Sequence, residues 1–156
     1  MDKIVFVVFL TFAFLLYFLF RKKERFYQLE DETSKNMLKS LHFATYDILD
    51  NTKTNFVGYL TQLNFSNYYN KFSIQEGYSS FTQNKKKIVL CMKDEKGRLY
   101  SFNSLLYVLL HEIAHVINDE LHHTKKFQNI FEQLLNHATN LGYYNPKIQF
   151  DSNYCT

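Results

Sequence analysis

Tryptophan is absent, proline occurs once and glycine four times in 156 residues. So little Pro and Gly excludes collagen-like repeats and flexible linker tracts. Cysteine occurs only twice, as Cys91 and Cys155. That is too sparse for a disulfide-stapled secreted scaffold, and a reducing compartment fits it better, with Cys91 an inert core thiol. No sign of charge dominates either. Eighteen Lys and Arg against 15 Asp and Glu leave a net +3, too small and too dispersed to indicate nucleic acid as a partner. What the chain does have is 16 Phe, 12 Tyr and 46% hydrophobic residues, the balance of a packed core rather than of disorder. The length holds one domain.

Ile4 to Phe20 is a run of 17 residues without a charge, in which only Thr11 is clearly polar. As a helix it would cover about 25 Å of a hydrocarbon core roughly 30 Å thick, with Lys3 and Arg21 snorkelling at its ends. No small-x-small cleavage site follows, so the run reads as an uncleaved anchor rather than a signal peptide. Arg21, Lys22, Lys23 and Arg25 outweigh Lys3 and put the remainder of the chain on the cytosolic side. The expectation is a single-pass membrane protein. Residues 1–25 form an anchor with a basic flank, residues 4–20 meet the lipid bilayer, and residues 26–156 form one compact domain.

Within that domain, Asp31-Glu32-Thr33-Ser34 offers capping residues ahead of a helix carrying Met37, Leu38, Leu41, Tyr46, Ile48 and Leu49. Residues 54–84 follow neither period and read as a second helix or loop, with a turn near Gly77, Ser79 and Ser80. Lys87 to Lys93 is a short β-branched run closed by Asp94-Glu95-Lys96-Gly97, a strand and turn. Asn103 or Ser104 can cap the next helix, whose apolar positions include Leu105, Leu106, Leu109, Ile113, Val116 and Ile117.

That helix contains His111-Glu112-Ile113-Ala114-His115. An H-E-x-x-H spacing sets two imidazoles one turn apart on one face, where both reach one metal ion, and leaves the glutamate beside the open coordination position. Neutral imidazole suits a zinc ion, which lowers the pKa of its water so that Glu112 can act as general base. A third protein ligand is required. His122, His123, Glu132 and His137 lie downstream, with Asp119 and Glu120 nearer. The metzincin pattern is disfavoured, because Asn118 stands where it needs Gly and Leu121 where it needs His. Tyr143, Tyr144 and Tyr154 are oxyanion stabilisers by residue type only, and that role stays unassigned.

His123-Thr124-Lys125-Lys126-Phe127, opening an apolar helix through Ile130, Phe131, Leu134 and Leu135, resembles the SprT-like and WLM zinc metalloprotease group over residues 86–141. The resemblance implies an α+β fold in which the N-terminal transmembrane helix precedes a small zincin-like domain of few helices and a short β-sheet. It also implies His123 as the third zinc ligand beside His111 and His115, Phe127 as the aromatic residue packed under the site, and Glu112 as the catalytic residue. The adjacent His122 competes with His123 for the ligand role. The group's strand at Ile88 to Met92, if it lies at the sheet edge, would take an extended peptide by β-augmentation.

The reading is a membrane-anchored zinc metallopeptidase, hydrolysing peptide bonds of protein substrates at a membrane surface through a zinc-activated water. The alternative is a non-catalytic zinc-binding or interaction protein of a membrane. The Phe-, Tyr-, Lys- and Asn-rich composition with an anchor resembles proteins of large DNA viruses, which implies a virion or host membrane as the address.

Overall fold

The computed structural model of the chain describes residues 3–49 and 71–155. Two compact units divide the chain, Met1–Asn36 and Met37–Thr156. Neither Gly nor Pro occurs before Gly58, so nothing in the sequence interrupts the first helix, α1 (Lys3–Ile48, 46 residues). The helix therefore does not begin at Asp31 as the capping residues suggest. Instead Asp31 pairs with Lys35 at 2.6 Å, one turn along an exposed face, where solvent screens the interaction.

The expected transmembrane helix, and with it the single-pass membrane location, is overturned. Among the described residues no helix is long and apolar enough to cross a membrane. The charge-free run is bounded by Lys3 and by Arg21-Lys22-Lys23, and at 1.5 Å per residue it falls about 5 Å short of a typical hydrocarbon core. Phe12, Phe14, Leu15 and Phe18 lie exposed along it.

The second unit is α+β. The end of α1 buries Leu41, Ala44 and Ile48, spaced by three and four so that they share one face. Three strands follow, β1 (Ser73–Gly77), β2 (Phe81–Gln83) and β3 (Lys87–Cys91), in the order β1-β3-β2. Residues 73–77 and 81–83 are thus strands where the sequence suggests a helix or loop; residues 54–70 of that stretch lie outside the described residues. β1 runs parallel to β3, with Ile74 opposite Ile88, and β2 runs antiparallel, with Thr82 opposite Ile88 and Phe81 opposite Val89. As the central strand, β3 buries Ile88, Val89, Leu90 and Cys91 in succession, the pattern of a strand covered on both faces. Asn84 and Lys85, at φ 51° and 56°, turn the three-residue β2–β3 hairpin loop, with Lys86 N–H donating to the Gln83 carbonyl at 3.0 Å.

After the turn at Asp94–Gly97 come α2 (Phe102–Ile117) and α3 (Lys125–Asn140). α2 is capped by Ser101, whose hydroxyl accepts from Ser104 N–H, two residues earlier than Asn103 and three earlier than Ser104. Ser104 instead points inward, its hydroxyl accepting from Asp151 N–H at 2.9 Å. Thr124 caps α3.

The C-terminal segment is sewn back onto the sheet. Cys155 forms a disulfide with Cys91 across a sequence separation of 64, so the two cysteines are not free thiols, and the inference of a reducing compartment from their scarcity loses its basis. The Tyr154 hydroxyl donates to the Cys91 carbonyl at 2.6 Å and accepts from Ser80 Oγ at 2.9 Å. Burial pushes its phenol up to about 12. Tyr143, Tyr144 and Tyr154 pack against the core.

Gly77 faces Val89 at the end of β1, and a Cβ there would overlap the Val89 methyl Cγ1. Val89 is buried and β-branched, so it cannot swing aside. Gly77→Ala is expected to lower unfolding free energy by about 1–3 kcal/mol in denaturant titration; an unchanged midpoint would mean that β1 yields. Cys155→Ser is expected to cost about 2–4 kcal/mol in the same assay, and no loss would show that the hydrogen bonds of Asp151, Tyr154 and the Cys155 N–H hold the segment without the disulfide.

Candidate metal centre

α2 is buried along eleven of its sixteen residues. Leu105, Leu106, Leu109, Leu110, Ile113 and Ala114 are fully inside, which leaves a narrow strip of the helix on which His111 and His115 stand half-buried. Four residues apart, they hold their rings with centroids at 4.9 Å. The third imidazole comes from the connection between α2 and α3. His122 adopts a left-handed backbone, φ 65°, and the chain turns there so that His123 meets the helical pair. His123 Nε2 lies 3.0 Å from His111 Nε2 and 3.1 Å from His115 Nε2, and the ligand atoms of the three residues lie within 4.8 Å of one another.

Hydrogen bonding cannot satisfy this arrangement. Each neutral imidazole has one N–H and one in-plane lone pair, so the His123 nitrogen can bond well to only one of the two nitrogens facing it. A single cation accepts all three lone pairs at once. Tetrahedral ligands at about 2.0–2.1 Å from zinc are separated by roughly 3.3 Å, close to the spacing found. The donor set therefore fits a zinc ion.

Burial and neighbouring charge favour the neutral form of the two helical donors, His111 and His115. Burial, followed by the charges of His115 and His123, lowers His111 to about 4. Burial, His123 and Lys85 lower His115. Beneath them Phe127, the first core residue of α3 and almost fully buried, packs its ring at 4.9, 4.4 and 4.7 Å from the rings of His111, His115 and His123. Phe131 adds an edge contact to His111 at 5.3 Å.

Glu112 is 7% exposed. Burial pushes its carboxyl above the ordinary glutamate range, against the opposing pull of the Thr82 hydroxyl and the His123 charge. Thr82, at the middle of β2, has Oγ1 at 2.8 Å from Glu112 Oε2 and 3.0 Å from the Glu112 carbonyl oxygen. Next in the hairpin, the Lys85 ammonium donates to the Asn118 carbonyl at the end of α2. The imidazoles and Glu112 open into a cleft of about 530 Å³ whose walls include Phe81, Thr82, Lys85, Leu121 and His122.

His111, His115 and His123 thus come together with Phe127 beneath them and Glu112 alongside. The other candidates do not join them. His122 is exposed on the cleft wall, and Glu132 is exposed on α3. Asp119 pairs with Lys126 at 2.6 Å, Glu120 lines the cleft, and His137 is buried on α3 among the core residues. The strand assigned to peptide pairing is also corrected: β3 is central, with both sides occupied by β1 and β2, while β2 is the sheet edge beside the site. Sequence reasoning misses Thr82 and Lys85. A threonine in a short strand carries no local signal, since its meaning depends on the hairpin placing it against a helix thirty residues away.

The chain is similar to three viral proteins. It is 51% identical over 107 residues to the uncharacterized protein 136R of Invertebrate iridescent virus 6, covering 67% of this chain and 60% of that protein. It is 44% identical over 101 residues to the uncharacterized protein 042R of Invertebrate iridescent virus 3, covering 64% of each. Its 37% identity over 101 residues to the uncharacterized protein R325 of Acanthamoeba polyphaga mimivirus covers 60% of this chain and half of that one. The chain therefore spans less than two thirds of the length of these relatives. No family model and no solved structure matches it.

The depressed His111 has a consequence for metal-free protein. Its folded value of about 4 lies below the roughly 6.5 of an unfolded histidine, so between these limits the unfolded chain binds more protons. Stability is fully present above about pH 6.5 and is lost as pH falls toward 4. Urea midpoints measured with a chelator present should drop across that window. A midpoint flat from pH 7 to 4 would contradict the burial of this imidazole.

Proposed function

We infer that the chain is a zinc-dependent peptidase in which His111, His115 and His123 hold the ion and Glu112 is the general base. The observation carrying this reading is the convergence of three imidazole nitrogens at 3.0–3.1 Å spacings beside a buried carboxylate. A purely structural metal site has no use for a carboxylate kept dry at its open side. Zinc bound there supplies Lewis acidity and lowers the pKa of water toward about 7. The remaining work belongs to the chain. Glu112 takes the proton of the attacking water and returns it to the departing amine. Phe127 keeps bulk water from the underside of the ligands and fixes their rings. β2 offers its free edge to an extended peptide, whose backbone groups continue the sheet across the cleft. The resemblance to SprT-like and WLM metalloproteases supports the same assignment of His123 and Phe127. Protein or peptide is therefore the substrate class.

A second reading, a zinc site that only stabilises the fold, is favoured by the three ring contacts that tie α2 to α3 through Phe127. Elemental analysis of the purified full chain and activity on labelled casein separate the two. Wild type is expected to carry one zinc per chain, His123→Ala to lose it and His122→Ala to keep it. Glu112→Gln should retain the metal while cleavage falls by about 10²–10⁴-fold. Folded wild type without metal, or equal loss in the two histidine variants, would overturn the ligand assignment. Undiminished cleavage by Glu112→Gln would remove Glu112 as the base, and cleavage by no form would leave the structural site.

A further inference from the structure

The geometry points to Thr82 as a positioning residue that holds the Glu112 carboxylate toward the histidine cluster, an inference that rests on the peptidase reading above. A general base on a helix has a flexible side chain of three torsions, and its rate contribution depends on aiming one oxygen within hydrogen-bond reach of the proton it takes. α2 fixes only the backbone of Glu112. Its carboxylate has a single side-chain donor among the described contacts, the Thr82 hydroxyl at 2.8 Å, delivered from β2.

The same hydroxyl lies 3.0 Å from the Glu112 carbonyl, so one Thr82 oxygen bridges the side chain and the main chain of the base. This bridge serves both ends of a proton transfer. Before it, Thr82 donates its hydrogen to the carboxylate. After Glu112 has taken a proton from water on its other oxygen, Oε2 still accepts from the Thr82 hydroxyl, so the carboxyl keeps its place and its new O–H faces the cleft, from which the proton passes to the departing amine.

The hairpin that carries Thr82 is itself fixed at two points. Lys85, in the turn, donates to the Asn118 carbonyl at the C-terminal end of α2. Ser80, at the other end of β2, accepts from Cys91 N–H at 2.9 Å and donates to Tyr154. The edge strand that would receive the peptide is therefore also the element that aims the base. Substrate pairing along β2 would press Thr82 and Glu112 together rather than leave them independent.

Thr82→Val, which replaces the hydroxyl with a methyl group of similar size, and Thr82→Ser, which restores the hydroxyl, test this in the zinc-supplemented full chain. Thr82→Val is expected to keep its zinc and its melting temperature to within a few degrees. Its kcat on labelled casein should fall by about 10–100-fold with KM within roughly twofold, and Thr82→Ser should recover most of that loss. Crystal structures of wild type and Thr82→Val supply a readout independent of turnover: the Glu112 carboxylate should move by about 1 Å or more in the variant. An unmoved carboxylate overturns the proposal even if kcat falls, and so does a kcat loss accompanied by loss of zinc or not restored by serine. If wild type cleaves nothing, the peptidase reading fails, and the crystallographic comparison still decides whether Thr82 places Glu112.

Discussion

The candidate site depends on the burial of one helix. α2 is enclosed by the sheet and by α3 on all but a strip, and His111 and His115 stand where that enclosure opens. A spacing of four then has one outcome, two imidazoles side by side at the cleft. Everything else at the centre is arranged around that strip. Phe127 lies in the first turn of α3, where its ring supports the histidines. The left-handed His122 turns the connecting loop, and the β2–β3 hairpin brings Thr82 over Glu112.

The chemistry follows from what this enclosure does to each group. Partial burial disfavours imidazolium, so His111 and His115 present lone pairs rather than charges near neutral pH. Three lone pairs facing one point repel unless something positive lies between them. The same dryness that disfavours charge on a histidine disfavours it on Glu112 and raises its carboxyl above the ordinary glutamate range. The metal ligation and base catalysis proposed for the site would thus draw on one physical cause, burial beside an open cleft.

The parts legible in the sequence are those whose signal is local. The H-E-x-x-H helix, the apolar positions of α3, the strand at Lys87 and the turn at Gly97 all announce themselves by periodicity, spacing or turn chemistry. His123 is legible only through its relation to Phe127, since composition alone does not separate it from His122; the discriminating feature is a backbone conformation. What escapes are relations across the chain. The pairing of Cys91 with Cys155, the capping of α2 by Ser101 while Ser104 turns inward to Asp151, and the Thr82–Glu112 contact each join residues whose proximity only the fold creates. The apolar run of α1 misleads for the opposite reason. Its local signal is strong, yet among the described residues it falls short of the length and apolarity that spanning a bilayer requires.

Whether His111, His115 and His123 share one zinc ion is decided by anomalous diffraction from crystals of the full chain, recorded on either side of the zinc absorption edge. One strong peak is expected about 2.0–2.1 Å from the Nε2 atoms of all three histidines, with none at His122 or Glu132. A zinc peak ligated by other residues, or a folded chain with zinc in the solution and no peak between these imidazoles, would contradict it.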